Sequence, residues 1–480
     1  MNAQDILSRI DASGPFLRGK YFCLLVQNLL NEYLKKQGKT FKADYRLEGY
    51  EFDGFAPDGI DGYEGPTVFE IFYRRIPTGR VREMSDGLRD AIKISGARHG
   101  IMICSFNEPI RGLWLEENKD MVVWGRNKVE WLIEQNLEFA NSIVRNLFKL
   151  EIEKRVKNTN GNWKEDRKRR LDAVKSAYRS GDFSLMLGAG VSRSAELPDW
   201  DELLQILYSN MVGQLFNEEG IAEEMLGKIT DKFISINKGS ALAVARYLKA
   251  GLTEEEAQIG FVAAVKKALY SKGNSSSRLI ESIRGLCIPK RSGAKVKSVI
   301  TYNFDSLIEE AFSEVKLEYH TIYRDEVQHG AEELPVYHVH GYIPRSGTMT
   351  DDSHIVFSED AYHKVYSDPY HWSNLVQLST LRENTCLMVG LSLTDPNLRR
   401  LLEIAAQKQS KHIRHFAFLQ RLTPEKLNEE NDNQLDENIV SKILDKHHVI
   451  QERMMESLGI RIIWYENYKE IPTLLDSILS

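Results

Sequence analysis

The chain has 480 residues, of which 42% are hydrophobic and 28% charged, with 13 Pro, 32 Gly and a net charge of -6. At roughly 150 residues per domain this length implies two or three cores, and the composition excludes a disordered, collagen-like or coiled-coil chain. Mean hydropathy is -0.38, and no apolar run approaches the roughly 18–20 residues that a membrane span requires.

The opening residues, MNAQDILSRIDASG, have neither the basic start nor the apolar stretch of a secretory signal. Cys23, Cys104, Cys287 and Cys386 stand too far apart for a Cys-x-x-Cys zinc clamp, and they suggest no disulfide framework. The expectation is a cytoplasmic protein without membrane contact.

In chain order, Phe22, Leu25, Val26, Leu29, Leu30 and Tyr33 recur with the spacing of an amphipathic helix. A turn-rich stretch with alternating character follows over 45–61, then a compact apolar strand from Thr67 to Tyr73. A second helix is expected from about Met84 to Ser95, strands at Ile101 to Cys104 and Met121 to Trp124, and a helix from Lys128. These make one α/β unit over 1–150. The section rich in Asn, Lys and Gly from Lys157 to Trp163 marks its boundary.

Residues 151–180 hold ten Lys or Arg against five Asp or Glu, which leaves the remainder of the chain at -11. Arg167, Lys168, Arg169 and Arg170 are consecutive. The segment reads as a solvated basic helical linker, with contact to DNA or an acidic partner as the alternative.

From 181 onward, short apolar strands alternate with helical segments. Strands are expected at Phe183 to Leu187, Val299 to Thr301, Val336 to His340, Cys386 to Val389, Phe416 to Leu419 and Ile460 to Trp464. That alternation predicts a mostly parallel, doubly wound, Rossmann-like sheet over 181–480.

The first of these strands runs into Gly188-Ala189-Gly190-Val191-Ser192. Glycines there let backbone N–H groups approach a diphosphate closely. The third glycine of a full dinucleotide fingerprint is replaced by Arg193, so the turn alone leaves nucleotide binding open. Leu197-Pro198-Asp199-Trp200 follows, with Asp199 and Glu202 spaced as a helix-capping box. Three more polar clusters stand at the ends of expected strands: Thr301-Tyr302-Asn303-Phe304-Asp305, His340-Gly341, and Gly390 to Leu398 (GLSLTDPNL). In a doubly wound sheet such ends converge on one crevice. Read by themselves, Asn303 and Asp305 could cap a helix near Ser306, and Ser392 and Asp395 one near Pro396. His338 and His340 could share a strand face as half of a metal site.

In this order, the motifs GAGVS, LPDW, TYNFD, HG and GLSLTDPNL resemble the sirtuin-like NAD-consuming domains of bacterial antiviral defence. The closing LGIRIIWY (458–465) is similar to that family's last strand. The family usually has glycine where this chain has Glu196. The four-cysteine zinc ribbon of sirtuin deacylases is missing, so the resemblance is to the zinc-free branch, and no zinc is expected. It implies NAD as a substrate, hydrolysed at the nicotinamide–ribose bond. Asn303 would position water or the ribose hydroxyls, and His340 would act as general base. Asp305 would hold the nicotinamide side, and Gly188, Ala189, Gly190 and Ser192 would cradle the phosphates. Trp200 and Thr301 would contribute to the site, while Gly390, Ser392 and Asp395 would contact the adenosine half. The resemblance further suggests a homo-oligomer, with a HerA-type ring ATPase as a candidate partner.

In the first unit, Asp53-Gly54 followed by Val68-Phe69-Glu70-Ile71-Phe72 has the outline of a restriction-endonuclease-like core, Asp…Glu-x-Lys. Two carboxylates there hold a divalent metal, and the lysine steadies the attacking water. Phe72 occupies the lysine position, and Arg74 and Arg75 do not restore the spacing. A degenerate version of that fold, an active nuclease with a displaced base and an unrelated interaction domain all remain open. DNA contact could come through this unit or the basic segment.

Overall fold

The computed structural model describes the chain except for residues 15–16, 48–49, 74–80, 107–119, 159–162, 216–244, 247, 250–257, 326–329, 331, 348–354, 409–412, 430–435 and 480. It divides into two compact units, Met1–Asn160 with Asp445–Ile450, and Gly161–Leu444 with Gln451–Ser480.

The first unit is a mixed sheet with helices against it. Its strands are β1 (Lys42–Leu47), β2 (Tyr50–Ala56), the short hairpin β3 (Gly59–Ile60) and β4 (Tyr63–Glu64), β5 (Thr67–Phe72), β6 (His99–Cys104) and β7 (Met121–Trp124). The five main strands run in the order β1-β2-β5-β6-β7. The β1/β2 and β2/β5 pairs are antiparallel, and the β5/β6 and β6/β7 pairs parallel. The helix Arg18–Lys36 buries Phe22, Leu25, Val26, Leu29 and Leu30, the stripe its spacing predicts. Where the sequence suggests a turn-rich stretch with alternating character over 45–61, β1 and β2 form an antiparallel pair. Tyr45 is half-buried and stacked on Phe55 with ring centroids 4.6 Å apart, while Tyr50 and Glu51 are exposed where β2 begins.

The second unit is built on seven parallel strands: β8 (Phe183–Leu187), β9 (Val296–Thr301), β10 (Tyr319–Ile322), β11 (Leu334–His338), β12 (Thr385–Val389), β13 (His415–Gln420) and β14 (Ile460–Tyr465). Their order is β10-β11-β9-β8-β12-β13-β14, and every pairing is parallel. With β8 first, this is the dinucleotide-fold order 3-2-1-4-5-6 with β10 added beyond the third position. The chain turns from one half of the sheet to the other between β8 and β12. All five residues of β8 and of β12 are buried, as central strands covered on both faces require. Separate apolar clusters lie on the two faces: Leu185, Leu187 and Val299 belong to one, Met186, Ile300 and Met388 to the other.

The segment read as a linker, 151–180, divides between the two units. It holds the end of the helix Leu147–Asn158 and the helix Trp163–Ser180. The latter is part of the second unit, where Val174 and Tyr178 are buried. Arg167 donates to the Trp464 carbonyl at 3.2 Å and to Glu470 at 2.7 Å. Arg170 donates to Glu452 at 2.7 Å and to the Ile462 carbonyl at 2.5 Å. Half of the basic run is thus committed to the edge of the sheet. Among the described residues no helix is long and apolar enough to cross a membrane.

Candidate functional site

The loops after β8, β9, β11 and β12 meet at the point where the strand order reverses, and hydrogen bonds weld them together. The Gly188 amide donates to the Val389 carbonyl and the Gly190 amide to the Gly390 carbonyl, each at 3.0 Å. Gly390 has φ +69°, a conformation that favours glycine, and a Cβ on it would stand 2.6 Å from the Val191 amide nitrogen. A Cβ on Gly190 would lie 2.7 Å from the Gly390 Cα. The glycines therefore serve loop-on-loop contact, and two of the amides expected to cradle a phosphate are already engaged. The Ala189 amide has no such partner among the described residues. The helix it opens, Ala189–Arg193, has five residues and adds little dipole. Arg193, at the absent third glycine, is exposed and salt-bridged to Asp199 at 2.6 Å. It braces the capping box formed by Asp199 and Glu202, whose two bonds are both 3.0 Å.

A buried polar chain fixes Asn303. Ser192 donates from Oγ to Asp305 Oδ2 at 2.5 Å and accepts from Asn303 Nδ2 at 2.7 Å. The same Nδ2 donates to the Gly188 carbonyl at 3.0 Å, and the Asn303 amide to Thr301 Oγ1 at 3.1 Å. Asp305 Oδ1 accepts from the Leu307 amide at 3.2 Å. Burial pushes the Asp305 carboxyl up, partly offset by the Ser192 and Leu307 hydrogen bonds. Asp305 thus caps the helix Leu307–Glu314 and orients Ser192, with both oxygens taken. Asn303 keeps its Oδ1 without a protein partner among the described residues.

The strand expected at Val336 to His340 ends at His338, which removes the shared strand face of the two histidines. His338 is buried between Glu309 and the Asn303 carbonyl, so neither ring nitrogen is available to a metal. Among the described residues no group of three or more His, Cys, Asp or Glu is placed to hold a metal ion. His340 lies in the turn beyond the strand, edge-on to the Tyr302 ring with centroids 5.1 Å apart. Burial holds its imidazole below the ordinary histidine range, and the Asp395 carboxylate opposes that. Tyr302 is in turn anchored by its hydroxyl to Gln377 at 2.5 Å.

In the loop after β12, Asp395 accepts from the Leu398 amide at 2.6 Å, capping Pro396–Lys408, while its charge acts on His340 and Tyr302. Ser392 is exposed and bonded to Thr394 at 2.7 Å. Leu393 between them is buried with φ +59°, a strained conformation for leucine. Trp200 is set apart from the polar chain, packed on Phe357 at 4.7 Å and Phe304 at 6.4 Å. Glu196 has φ +64°, so the loop keeps a left-handed residue where the resembling family has glycine. A cavity of about 370 Å³ flanks the turn, lined by Tyr323, Arg324, Asp325, Gly341, His371 and Trp372 among others. Neither Asn303 nor Ser192 lines it.

Sequence reasoning missed Tyr468, whose hydroxyl donates to the Gly190 carbonyl at 2.5 Å, and the role of Glu309. Tyr468 lies 278 positions from its partner, outside any motif, so no local signal marks it.

In the first unit, Asp53 on β2 accepts from the Ile71 amide of β5 at 2.7 Å. This sets its carboxylate beside Glu70, whose carboxyl is pushed up to about 8 by burial and by Asp53. Burial likewise raises Asp53, with the Ile71 and Cys23 hydrogen bonds opposing. Phe72 ends β5. Lys154 donates to Asp44 and to Gln27, each at 2.9 Å, and Gln27 donates to the Asp53 carbonyl at 2.7 Å. Arg74 and Arg75 lie outside the described residues.

Residues 297–441 match the family model of the SIR2-like domain. That span holds the TYNFD, HG and GLSLTDPNL loops, and the GAGVS and LPDW loops precede it. NAD(+) hydrolase ThsA of Enterococcus faecium is 23% identical to this chain over 320 residues, which cover 65% of this chain and 58% of ThsA. The matched stretch therefore spans less than two thirds of that relative's length.

Proposed function

We propose that the second unit is an NAD+ hydrolase that cleaves the nicotinamide–ribose bond, and that the protein depletes NAD+ as an effector of antiphage defence. The likeness to ThsA and to the SIR2-like domain supports this reading. The observation that carries it is an Asn303 amide pinned by Gly188 and Ser192 at the strand-order reversal, with His340, whose basicity burial lowers, in the turn after β11 against Tyr302.

The pyridinium of NAD+ leaves as neutral nicotinamide, so breaking the C–N bond needs little acid catalysis. Positive charge develops on the ribose carbon and ring oxygen, and water must reach that carbon. Asn303 Oδ1 accepts a hydrogen bond from the water or a ribose hydroxyl, while Nδ2 stays pinned by Gly188 and Ser192. As the new C–O bond forms, His340 takes the proton from the water, leaving ADP-ribose. Asp395 stabilises the resulting imidazolium. The Ala189 amide binds the diphosphate, Gly390 and Ser392 face the adenosine half, and Trp200 walls the approach. In the purified protein, chromatography should follow nicotinamide release, with Asn303→Ala and His340→Ala both inactive yet folded. Turnover retained in both variants contradicts the assignment.

Such an activity endangers its own cell, and we propose that a homo-oligomer or a partner restrains it. A HerA-type ring ATPase is the partner to test first. Full activity in a monomer, measured by mass photometry beside the NADase assay, would contradict this regulation.

A second reading concerns the first unit, favoured by the adjacent Asp53 and Glu70 on neighbouring strands. It is a restriction-endonuclease-like module in which the lysine position is lost to Phe72. Metal-dependent DNA cleavage that vanishes in Asp53→Ala supports an active nuclease. Its absence across metals and substrates leaves a docking role.

A further inference from the structure

We propose that Glu309 and His338 form a buried clamp sharing one proton, which positions Asn303 through its backbone carbonyl. The proposal deepens the NAD+ hydrolase reading and rests on Asn303 acting in that reaction. His338 ends β11, Glu309 sits on the helix Leu307–Glu314, and Asn303 lies in the loop after β9. The pair thus ties together the three elements that frame the site.

Protonation follows from the partners alone. A carbonyl oxygen only accepts, so the 2.9 Å bond from His338 Nδ1 to the Asn303 carbonyl requires Nδ1 to carry hydrogen. The 2.7 Å contact between His338 Nε2 and Glu309 Oε1 then requires exactly one further proton, on one atom or the other. Without it, a ring lone pair and a carboxylate face each other at that distance, with His338 1% and Glu309 3% exposed. Loss of that proton drives the partners apart and frees the Asn303 carbonyl.

The surroundings keep the proton in place. Burial lowers the basicity of His338, but the charge and hydrogen bond of Glu309, the Asn303 carbonyl and the charge of Asp305 outweigh it and leave the histidine raised. The Tyr342 ring packs on His338 with centroids 4.6 Å apart, and Tyr270, Tyr319 and Glu310 act on that tyrosine in turn. Thr321 donates to Glu309 Oε1 at 3.3 Å, whereas Glu309 Oε2 is buried without a hydrogen-bond partner among the described residues. A pair kept only for packing gains nothing from that orphan oxygen. A glutamine would fill the same space and donate to the neutral ring.

Glu309→Gln separates the two roles. Its amide can donate to His338 Nε2 in the Nδ1–H tautomer, keeping the clamp without the titrating proton. His338→Phe removes the clamp. The expected result is a wild-type kcat that falls at alkaline pH, above the raised His338 range, while Glu309→Gln retains neutral turnover and loses that alkaline limb. His338→Phe should lose about tenfold to hundredfold in kcat at neutral pH, the cost of an unsatisfied buried group and a displaced amide, with substrate affinity held, and should approach wild type above the alkaline limb. An alkaline limb unchanged in Glu309→Gln, or wild-type kcat at neutral pH in His338→Phe, overturns the proposal. Melting temperature against pH, without NAD+, keeps the test independent of the reaction. Wild type should lose stability as pH rises through the raised His338 range, while Glu309→Gln does not. Parallel curves overturn the clamp, whereas distinct curves with no nicotinamide release retain it and reject only the hydrolase reading.

Discussion

Replacing Ser192 by alanine tests the polar chain behind Asn303. The hydroxyl is buried, and its loss leaves Asp305 Oδ2 without its 2.5 Å donor and Asn303 Nδ2 with only the Gly188 carbonyl. Asp305 retains only the Leu307 amide at 3.2 Å. An unsatisfied buried group costs about 1–3 kcal/mol, more when it is charged, so about 2–3 kcal/mol is expected. For a unit of this size that lowers the melting temperature by about 3–5 °C. The loosened amide should lower kcat about tenfold, since small misplacements are amplified in the transition state. Thermal unfolding followed by scanning calorimetry, with nicotinamide release on the same preparation, measures both. Adding Asp305→Asn to Ser192→Ala should recover part of the stability, giving a coupling of at least about 0.5 kcal/mol. Wild-type melting and turnover in Ser192→Ala, or strict additivity in the pair, would refute the chain.

Four further outcomes follow from the same structure. Glu196→Gly, measured by denaturant unfolding, should stabilise by up to about 1 kcal/mol, since relief of the left-handed strain exceeds the loss of the Asn274 bond at 3.2 Å. Arg170→Ala should destabilise by about 1–3 kcal/mol by leaving Glu452 only its Trp464 indole donor and by removing the arginine donor to the Ile462 carbonyl, whereas Lys168→Ala should leave the melting temperature near wild type. Turnover should fall at acid pH, as His340 gains a proton below the ordinary histidine range and can no longer accept one, and a pH–kcat profile measures this. Glu70, raised to about 8, favours the fold when protonated and weakens it as pH rises from the unfolded value near 4.5 through 8. Glu70→Gln should therefore gain up to about 5 kcal/mol over wild type at pH 9 and little at pH 4, read by urea unfolding.

The sheet of the second unit was legible because its central strands are continuous apolar runs. Phe183–Leu187 is bounded in the structure as its composition predicts, and the other expected strands shift by one to three residues. The edge strand Tyr319–Ile322 went unseen, since its four residues are mostly half-buried and include His320 and Thr321. The loops could be placed from the motifs, and the hydrogen bonds among Ser192, Asn303 and Asp305 join residues more than a hundred positions apart. Sequence could not tell that Asp305 faces inward, that Gly188 and Gly190 spend their amides on the neighbouring loop, or that His338 and His340 part company. Those outcomes depend on where β11 ends and how closely two loops approach. The basic run misled for a related reason, because a helix read as solvated has two of its arginines fixed on β14 and its flanks.

The most direct test is a crystal structure of the Asn303→Ala variant with NAD+. The account predicts an intact dinucleotide at the reversal of strand order, its diphosphate on the Ala189 amide and its anomeric carbon facing the vacated Asn303 position and His340. A dinucleotide bound elsewhere, or one whose nicotinamide–ribose bond lies away from His340, would contradict it.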